Sequence, residues 1–292
     1  MPSRMYFLGV STGASSIQRI FPLWARLAGQ PAAVLEGVDL PVGAQPQAYR
    51  DIAARMKADP DCRGALVTTH KVALYHHGLD VFDVFDADAN LLGEVSCVVC
   101  RSGRLEGQAV DTLTGALSLR AVVRGAVFDG EALIMGAGGA GLALATVLRR
   151  HHRPGRVLLT DISPERLNQV SGLVDAECVP ITGPDDHDRL IATLPSGSLI
   201  VNATGLGKDR PGSPLTEAAR FPSRAIAWDF NYRGDLKLLE LARSAGIEAV
   251  DSWEYFLHGW SQIMARVLGF DLTPELFGQM RAAASGGHRT SA

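Results

Sequence analysis

The chain has little of several things, and each shortage removes a class of function. Four cysteines in 292 residues, Cys62, Cys97, Cys100 and Cys178, suit a reducing compartment. Cys97-Val-Val-Cys100 has the C-x-x-C spacing, but no second pair lies near it to complete a zinc site. The β-branched run around it reads as a strand, where residues three apart point to opposite faces. The pair is therefore expected to be structural. The eight histidines include the adjacent pairs His76-His77 and His151-His152 but no His-x3-His, so no metal is expected. No apolar run reaches membrane-spanning length. The first residues lack the basic, apolar, small-residue order of a secretory leader. A net charge of −3 gives no reason to expect a nucleic-acid partner. Neither internal repeats nor low-complexity blocks are found. The expectation is a cytoplasmic enzyme, monomeric or homodimeric, without nucleic-acid or membrane partners.

What the chain does have is glycine in a telling place. An apolar run, Ala132 to Met135, leads into Gly136-Ala137-Gly138-Gly139-Ala140-Gly141, and a helix-forming run, Leu142 to Arg150, follows. This is G-x-G-x-x-G between a strand and a helix, the setting in which it signals dinucleotide binding. The first glycine allows a tight turn, the second admits a pyrophosphate, and the third lets the helix pack on the sheet. The phosphate would rest on the helix N-terminus. A second strand, Val157 to Thr160, leads into Asp161, 20 residues after Gly141, where an acid can accept hydrogen bonds from ribose hydroxyls.

The coarse pattern is strand–helix alternation in two segments. The first predicts strands at 6–10, 32–35 and 64–68, helices at about 16–28 and 49–58, and a hairpin of 95–100 with 105–110 around Arg101-Ser-Gly-Arg104. The second predicts strands at 132–135, 157–160, 199–202, 225–229 and 248–250, with a weaker one near Val179. Helices are expected at 164–173 and 236–245. Such alternation implies a doubly wound parallel sheet. Residues from Trp253 to about Ala284 read as helical with a break at Asp271-Leu-Thr-Pro274. Trp253, Tyr255, Phe256 and Trp260 are expected to pack between this tail and the first domain, and residues from Ser285 on are expected to be disordered. The expected domains are 1–113 (substrate), 114–250 (dinucleotide) and 251–292 (C-terminal helices and tail).

A nucleotide fold does not name a reaction. Gly64-Ala-Leu-Val-Thr-Thr-His-Lys71 is a strand that ends in polar residues and a lysine. Leu105-Glu-Gly-Gln-Ala-Val-Asp111 is another strand, ending in an acid. Strand ends face ligands in open α/β sheets, so Lys71 and Asp111 are candidate proton-handling groups; each could equally be a surface charge.

With these motifs in this order, the chain resembles the shikimate/quinate dehydrogenase family over nearly its full length. The segment ending in Lys71 is similar to that family's G-x-N-V-T-x-P-x-K, and Leu92-Gly-Glu-Val-Ser-Cys-Val98 to its I-G-A-x-N-T-V. Gly107-Gln-Ala-Val-Asp111 is similar to G-x-N-T-D-G, and Gly136 to Gly141 to G-A-G-G-A. Val201-Asn-Ala-Thr-Gly-Leu-Gly207 resembles N-A-T-P-x-G-M, and Asp229-Phe-Asn-Tyr232 resembles D-x-x-Y. The resemblance implies an N-terminal α/β substrate domain, a Rossmann-type NAD(P) domain, and C-terminal helices packed back on the first domain. It implies hydride transfer between a nicotinamide and a secondary alcohol or ketone of a hydroxylated ring acid, a reaction used in aromatic amino acid biosynthesis. Lys71 and Asp111 would be catalytic. Ser15, Thr68, Ser96, Tyr232 and Gln262 would hold substrate. Gly136, Ala137, Gly138, Gly139, Ala140, Gly141, Asp161, Asn202, Thr204 and Gly207 would hold cofactor.

The departures are on the substrate side. The lysine motif is one residue shorter and lacks its proline. Leu66, Ser96 and Ala109 stand where the family has asparagines, and Ile17 stands where it has a second serine after Ser15. The substrate-touching glutamine of the tail falls near Gly259, with Gln262 one turn on. The expectation is an atypical member with an altered substrate. Asp161, in place of the asparagine–arginine pair typical of NADP users, implies NAD in preference to NADP, with Arg166 one turn on. Two alternatives stay open: a non-catalytic module sensing NAD(H) or a ring acid, and a dehydrogenase of another tandem-domain family such as the methylene-tetrahydrofolate type.

Overall fold

The computed structural model describes residues 3–208 and 210–287. The chain divides into two units, Met1–Val110 with Leu257–Ala292, and Asp111–Phe256.

In the first unit the chain runs β1 (Arg4–Gly9), α1 (Ile17–Leu27), β2 (Val34–Asp39), α2 (Pro46–Ala58), β3 (Cys62–Val67), α3 (Lys71–Gly78), β4 (Val84–Phe85), α4 (Ala87–Leu92), β5 (Cys97–Arg101) and β6 (Arg104–Gln108). They form a mixed sheet in the order β2-β1-β3-β5-β6-β4. β1 pairs in parallel with β2 and β3, and β5 is antiparallel to β3 and β6. The β5–β6 turn is the one expected: Ser102 and Gly103 have φ of +51° and +74°, the double positive that two-residue hairpins need. The apolar core under this sheet gathers Tyr6, Leu8, Tyr49, Ile52, Met56, Val67 and Leu74. Gly64 is fixed by conformation and by space. Its φ is +141°, and a Cβ there would lie 1.9 Å from the Val98 carbonyl oxygen.

The second unit begins with α5 (Asp111–Val122) and continues β7 (Ala132–Met135), α6 (Gly139–His151), β8 (Val157–Asp161), α7 (Pro164–Val170), β9 (Glu177–Pro180), α8 (Pro184–Ile191), β10 (Leu199–Asn202), β11 (Ile226–Asp229), α9 (Lys237–Ser244) and β12 (Glu248–Val250). The sheet is wholly parallel, in the order β12-β11-β10-β7-β8-β9. β7 and β10 are buried at every residue, as parallel strands covered on both faces must be. α5 packs along α6, which is why Asp111 belongs to this unit.

The tail forms α10 (Trp253–Leu268) and α11 (Pro274–Ala284), broken where expected. α11 docks on α1, and the buried Trp24 donates its indole N–H to the Met280 carbonyl at 2.7 Å. Arg101 donates to the carbonyls of Arg266 and Val267 at the end of α10, at 2.7 and 3.0 Å. The C-terminal helices thus pack on the first unit.

One expectation needs refining and one correcting. The aromatic residues of α10 have ring partners in each unit. Trp253 stacks on Phe256 and meets Tyr232 edge-on, and Tyr255 lies on Phe230, all within the second unit, whereas Trp260 meets Phe7 in the first. Residues 253 and 256 share a helical face, and Trp260 lies one turn further on, past the unit boundary. Ser285–Gly287 form a 3-10 turn, with Arg19 donating to the Gly286 carbonyl at 2.7 Å. The rest of the expected disordered tail lies outside the described residues.

Candidate active site

In the second unit the strand ends carry the glycine loop. Gly136 has φ +106°, and a Cβ there would lie 2.7 Å from the Ala203 carbonyl oxygen of the neighbouring loop. Gly141 permits helix–strand contact: a Cβ would fall 2.0 Å from the Gly136 carbonyl oxygen. Gly138 differs, because a Cβ there meets nothing within 4 Å. The backbone is open at the start of α6, where the first N–H groups of a helix lack helical partners and attract anions. These residues fit a dinucleotide pyrophosphate.

Asp161 and Arg166 grip this loop at one residue. The Asp161 carboxylate accepts the Ala137 N–H at 2.9 Å and the Ser163 N–H at 3.0 Å. Arg166 donates through Nε to the Ala137 carbonyl at 2.7 Å. Asp161 remains half-exposed and Ile162 beside it is 66% exposed.

The loop after β10 is built on buried amides. Asn202 accepts from the Thr204 N–H at 3.1 Å and from its hydroxyl at 2.7 Å. Its Nδ2 donates to Asp229 at 3.0 Å. Asp229 also accepts the Asn231 N–H at 2.8 Å, and Asn231 Nδ2 donates to the Leu206 carbonyl at 2.9 Å. Gly207 has φ +86° at the loop's end. The Asn202 side chain therefore shapes the turn, and it is the loop backbone and Thr204 that are left half-exposed. Burial pushes the Asp229 carboxyl up to about 6, against the pull of Asn202 and Asn231. Tyr232, half-buried, packs on Trp253 and Phe256.

In the first unit Lys71 is half-buried at the start of α3. Two adjacent residues, Val95 and Ser96, tie the surrounding backbone together. The Val95 N–H donates to the Lys71 carbonyl at 3.1 Å, and the Ser96 carbonyl accepts from the Val67 N–H at 2.9 Å. The Ser96 N–H donates to the Gln108 carbonyl at 3.0 Å, and the wholly buried Ser96 hydroxyl accepts the Val110 N–H at 2.8 Å. One dipeptide thus braces the backbone that carries Lys71 and the backbone that runs into Asp111. Asp111 is 4% exposed.

The replaced positions are buried. Leu66, 7% exposed, lies in register between Phe7 and Cys97, and Ala109 is 4% exposed. Ser15 is nearly buried, its hydroxyl accepting weakly from the Ile17 N–H at 3.4 Å. Thr68 is half-buried where β3 ends. Gln262 accepts from Arg266 at 3.1 Å. Sequence reasoning gave no role to two buried polar residues, His70 within the lysine segment and Glu94, 3% and 0% exposed. For Glu94 a signal existed: a lone acid inside the apolar stretch 91–99. For His70 nothing local distinguishes it.

Cys97 is buried, and burial pushes its thiol up to about 12. Among the described residues no group of three or more His, Cys, Asp or Glu side chains could hold a metal, and no helix is long and apolar enough to cross a membrane.

No protein-family model matches the chain. It is similar to the shikimate dehydrogenase (NADP(+)) of Salinibacter ruber, 30% identical over 213 residues that cover 69% of this chain and 71% of that one. The shikimate dehydrogenase (NADP(+)) of Rhodospirillum rubrum is 28% identical over 284 residues, covering 96% and 95%. Among solved structures, shikimate 5-dehydrogenase of Thermus thermophilus in complex with NADP(H) and shikimate superposes with a TM-score of 0.72. It is 25% identical, and the match covers 96% of this chain and 99% of that one.

Proposed function

Because the chain belongs to the shikimate dehydrogenase family, we propose that it is an NAD(P)-dependent oxidoreductase acting on the secondary alcohol or ketone of a hydroxylated ring acid. Lys71 and Asp111 serve as its proton-transfer pair. The observation that carries this reading is the Val95–Ser96 dipeptide, which holds the Lys71 carbonyl and the Val110 N–H next to Asp111 in sequence even though the neighbouring asparagines are gone.

Gly136 to Gly141 would hold the pyrophosphate, Asp161 would meet the adenosine ribose, and Asn202, Thr204 and Gly207 would also contact the cofactor. When bound, the nicotinamide supplies the hydride acceptor or donor. The chain's own task is the proton. Lys71 and Asp111 would move the proton of the reacting oxygen off or on. NAD is favoured over NADP, since Asp161 accepts from a free 2′-hydroxyl and repels a 2′-phosphate. Arg166 is committed to the Ala137 carbonyl and offsets this only in part.

The ring acid carries fewer or differently placed hydroxyls than shikimate. The side chains of Leu66 and Ala109 offer no hydrogen bond, and the Ser96 hydroxyl is used by the Val110 N–H. A hydroxyl desolvated without a partner loses about 1–3 kcal/mol. Ser15, Thr68, Tyr232 and Gln262 remain to grip a carboxylate or hydroxyl.

The test is absorbance at the reduced-nicotinamide band, with NAD and a panel of ring acids, for the parent and Lys71→Ala. The variant should lose about 10²–10⁴ in turnover while its cofactor Kd stays within twofold, roughly speaking. Unchanged turnover in Lys71→Ala would remove the lysine from the reaction. Cofactor binding without turnover of any panel member would favour a sensing module.

A further inference from the structure

Between the end of β3 and the start of α3 the chain has three residues, Thr68, Thr69 and His70. To turn in that space, Thr69 adopts φ +59°. That is left-handed backbone, unfavourable for a β-branched residue. Such a turn persists only where its surroundings hold it, and the ring of the next residue, His70, is bonded at both nitrogens. The ring is 3% exposed. Its Nε2 lies 3.0 Å from the Leu40 carbonyl oxygen and its Nδ1 3.0 Å from the Tyr49 hydroxyl. A carbonyl can only accept, so Nε2 carries the proton and Nδ1 accepts from the hydroxyl. Tyr49 is itself 2% exposed, and burial raises its pKa, so it keeps the proton it donates. Leu40 is fixed in turn, its N–H donating to the Gly9 carbonyl at 2.9 Å. One ring therefore joins α2, the end of β2 and the first turn of α3, and the next residue is Lys71.

We propose that the Tyr49–His70–Leu40 array is a positioning device for Lys71. It sets the first turn of α3, and with it the place where the lysine amine is presented. Tyr49 and His70 are positioning residues, acting on the reaction only through Lys71. The inference rests on the reading of Lys71 as a proton-transfer group. It explains how a lysine segment one residue short of the family pattern, and without its proline, can still deliver the amine.

The test uses the full chain and three variants: Tyr49→Phe, which keeps the ring, His70→Leu, and His70→Gln, which retains a donor toward Leu40. The first readout needs no substrate. The rate at which acetic anhydride acetylates Lys71 is read from peptide masses, with Lys237 of the other unit as internal reference. Tyr49→Phe and His70→Leu should change the Lys71 rate by about threefold or more, with Lys237 unchanged and His70→Gln closer to the parent. The second readout is turnover with NAD and the ring acid that the parent oxidises best. Here kcat should fall about tenfold while KM changes less than about twofold, since misplacement of a reacting group acts on the chemical step. In a Lys71→Ala background the same variants should add no further loss.

An unchanged Lys71 rate in Tyr49→Phe would overturn the proposal. So would losses that multiply with Lys71→Ala, because the array would then act on the whole unit. If His70→Leu fails to fold, Tyr49→Phe decides alone. A Lys71→Ala protein with full turnover would instead overturn the role of Lys71, a result that the acetylation rates do not depend on.

Discussion

At the end of β7, in the second unit, three glycines stand where a side chain would collide with backbone or close the surface. At the ends of β3, β5 and β6, in the first unit, the polar positions of the family pattern hold Leu66, Ser96 and Ala109. The contrast follows from what each site is made of. A pyrophosphate site made of backbone has no side chain to exchange: nearly any substitution at Gly136 or Gly141 strikes a carbonyl. A ring-acid site made of side chains can be altered one residue at a time while the strands beneath stay paired. Under the proposed function, such a division would keep cofactor chemistry while leaving substrate choice open to change.

The largest expected effect tests the backbone half of this contrast. Gly141→Ala pushes a methyl against the Gly136 carbonyl and should destabilise the second unit by about 3 kcal/mol, the upper range for overpacking. Gly138→Ala meets open space, so thermal denaturation should match the parent while NAD affinity falls about tenfold. Equal losses of stability in the two variants would erase the distinction between fold glycine and ligand glycine.

The second sharpens the comparison by pH. Asp229, in the second unit, holds its proton up to about pH 6 in the folded chain and to 3.8 in the unfolded one. The folded state binds the extra proton, so this group lowers stability as pH rises across that window, by on the order of 2–3 kcal/mol. His258, on α10 in the first unit, is pushed the other way. Burial first, then Arg281, lowers its pKa from 6.5 to about 4. The unfolded chain takes the proton first, so stability is lost as pH falls from 6.5 toward 4. Thermal denaturation of Asp229→Asn and His258→Gln against the parent, from pH 4 to 7, should give slopes of opposite sign. Two slopes of one sign would contradict the burial assigned to these groups.

How legible each half was in the sequence follows the same division. The strands 132–135, 199–202 and 248–250 matched residue for residue; for the first two, a buried apolar run leaves little latitude. The helices α3, α4 and α8 were not anticipated. They span six to eight residues, and α3 and α4 are too short to show a persistent apolar face. In the site, Lys71, Asp111 and the glycine loop could be read as motifs. The roles of Ser96 and Asn202 could not, because their hydrogen bonds go to backbone 14 residues away for Ser96 and to an acid 27 residues away for Asn202. His70 was hidden for the same reason, its partners lying 21 and 30 residues upstream.

A smaller effect concerns one side chain of the proposed cofactor site. Asp161→Asn should narrow the preference for NAD over NADP by about tenfold, roughly 1.4 kcal/mol, read as the ratio of the two kcat/KM values. A parent enzyme that already works as well with NADP would break this part of the comparison, leaving Arg166 as the dominant group at the ribose.

The central claim is that the cofactor half is retained while the substrate half is altered. It is tested most directly by kcat/KM of the parent protein with NAD, for shikimate and quinate against ring acids bearing fewer hydroxyls. The account predicts turnover with NAD, weak or absent for shikimate and higher for a less hydroxylated acid. Shikimate turnover at about 10⁴ M⁻¹s⁻¹ or more, the level of an ordinary metabolic enzyme, would contradict it.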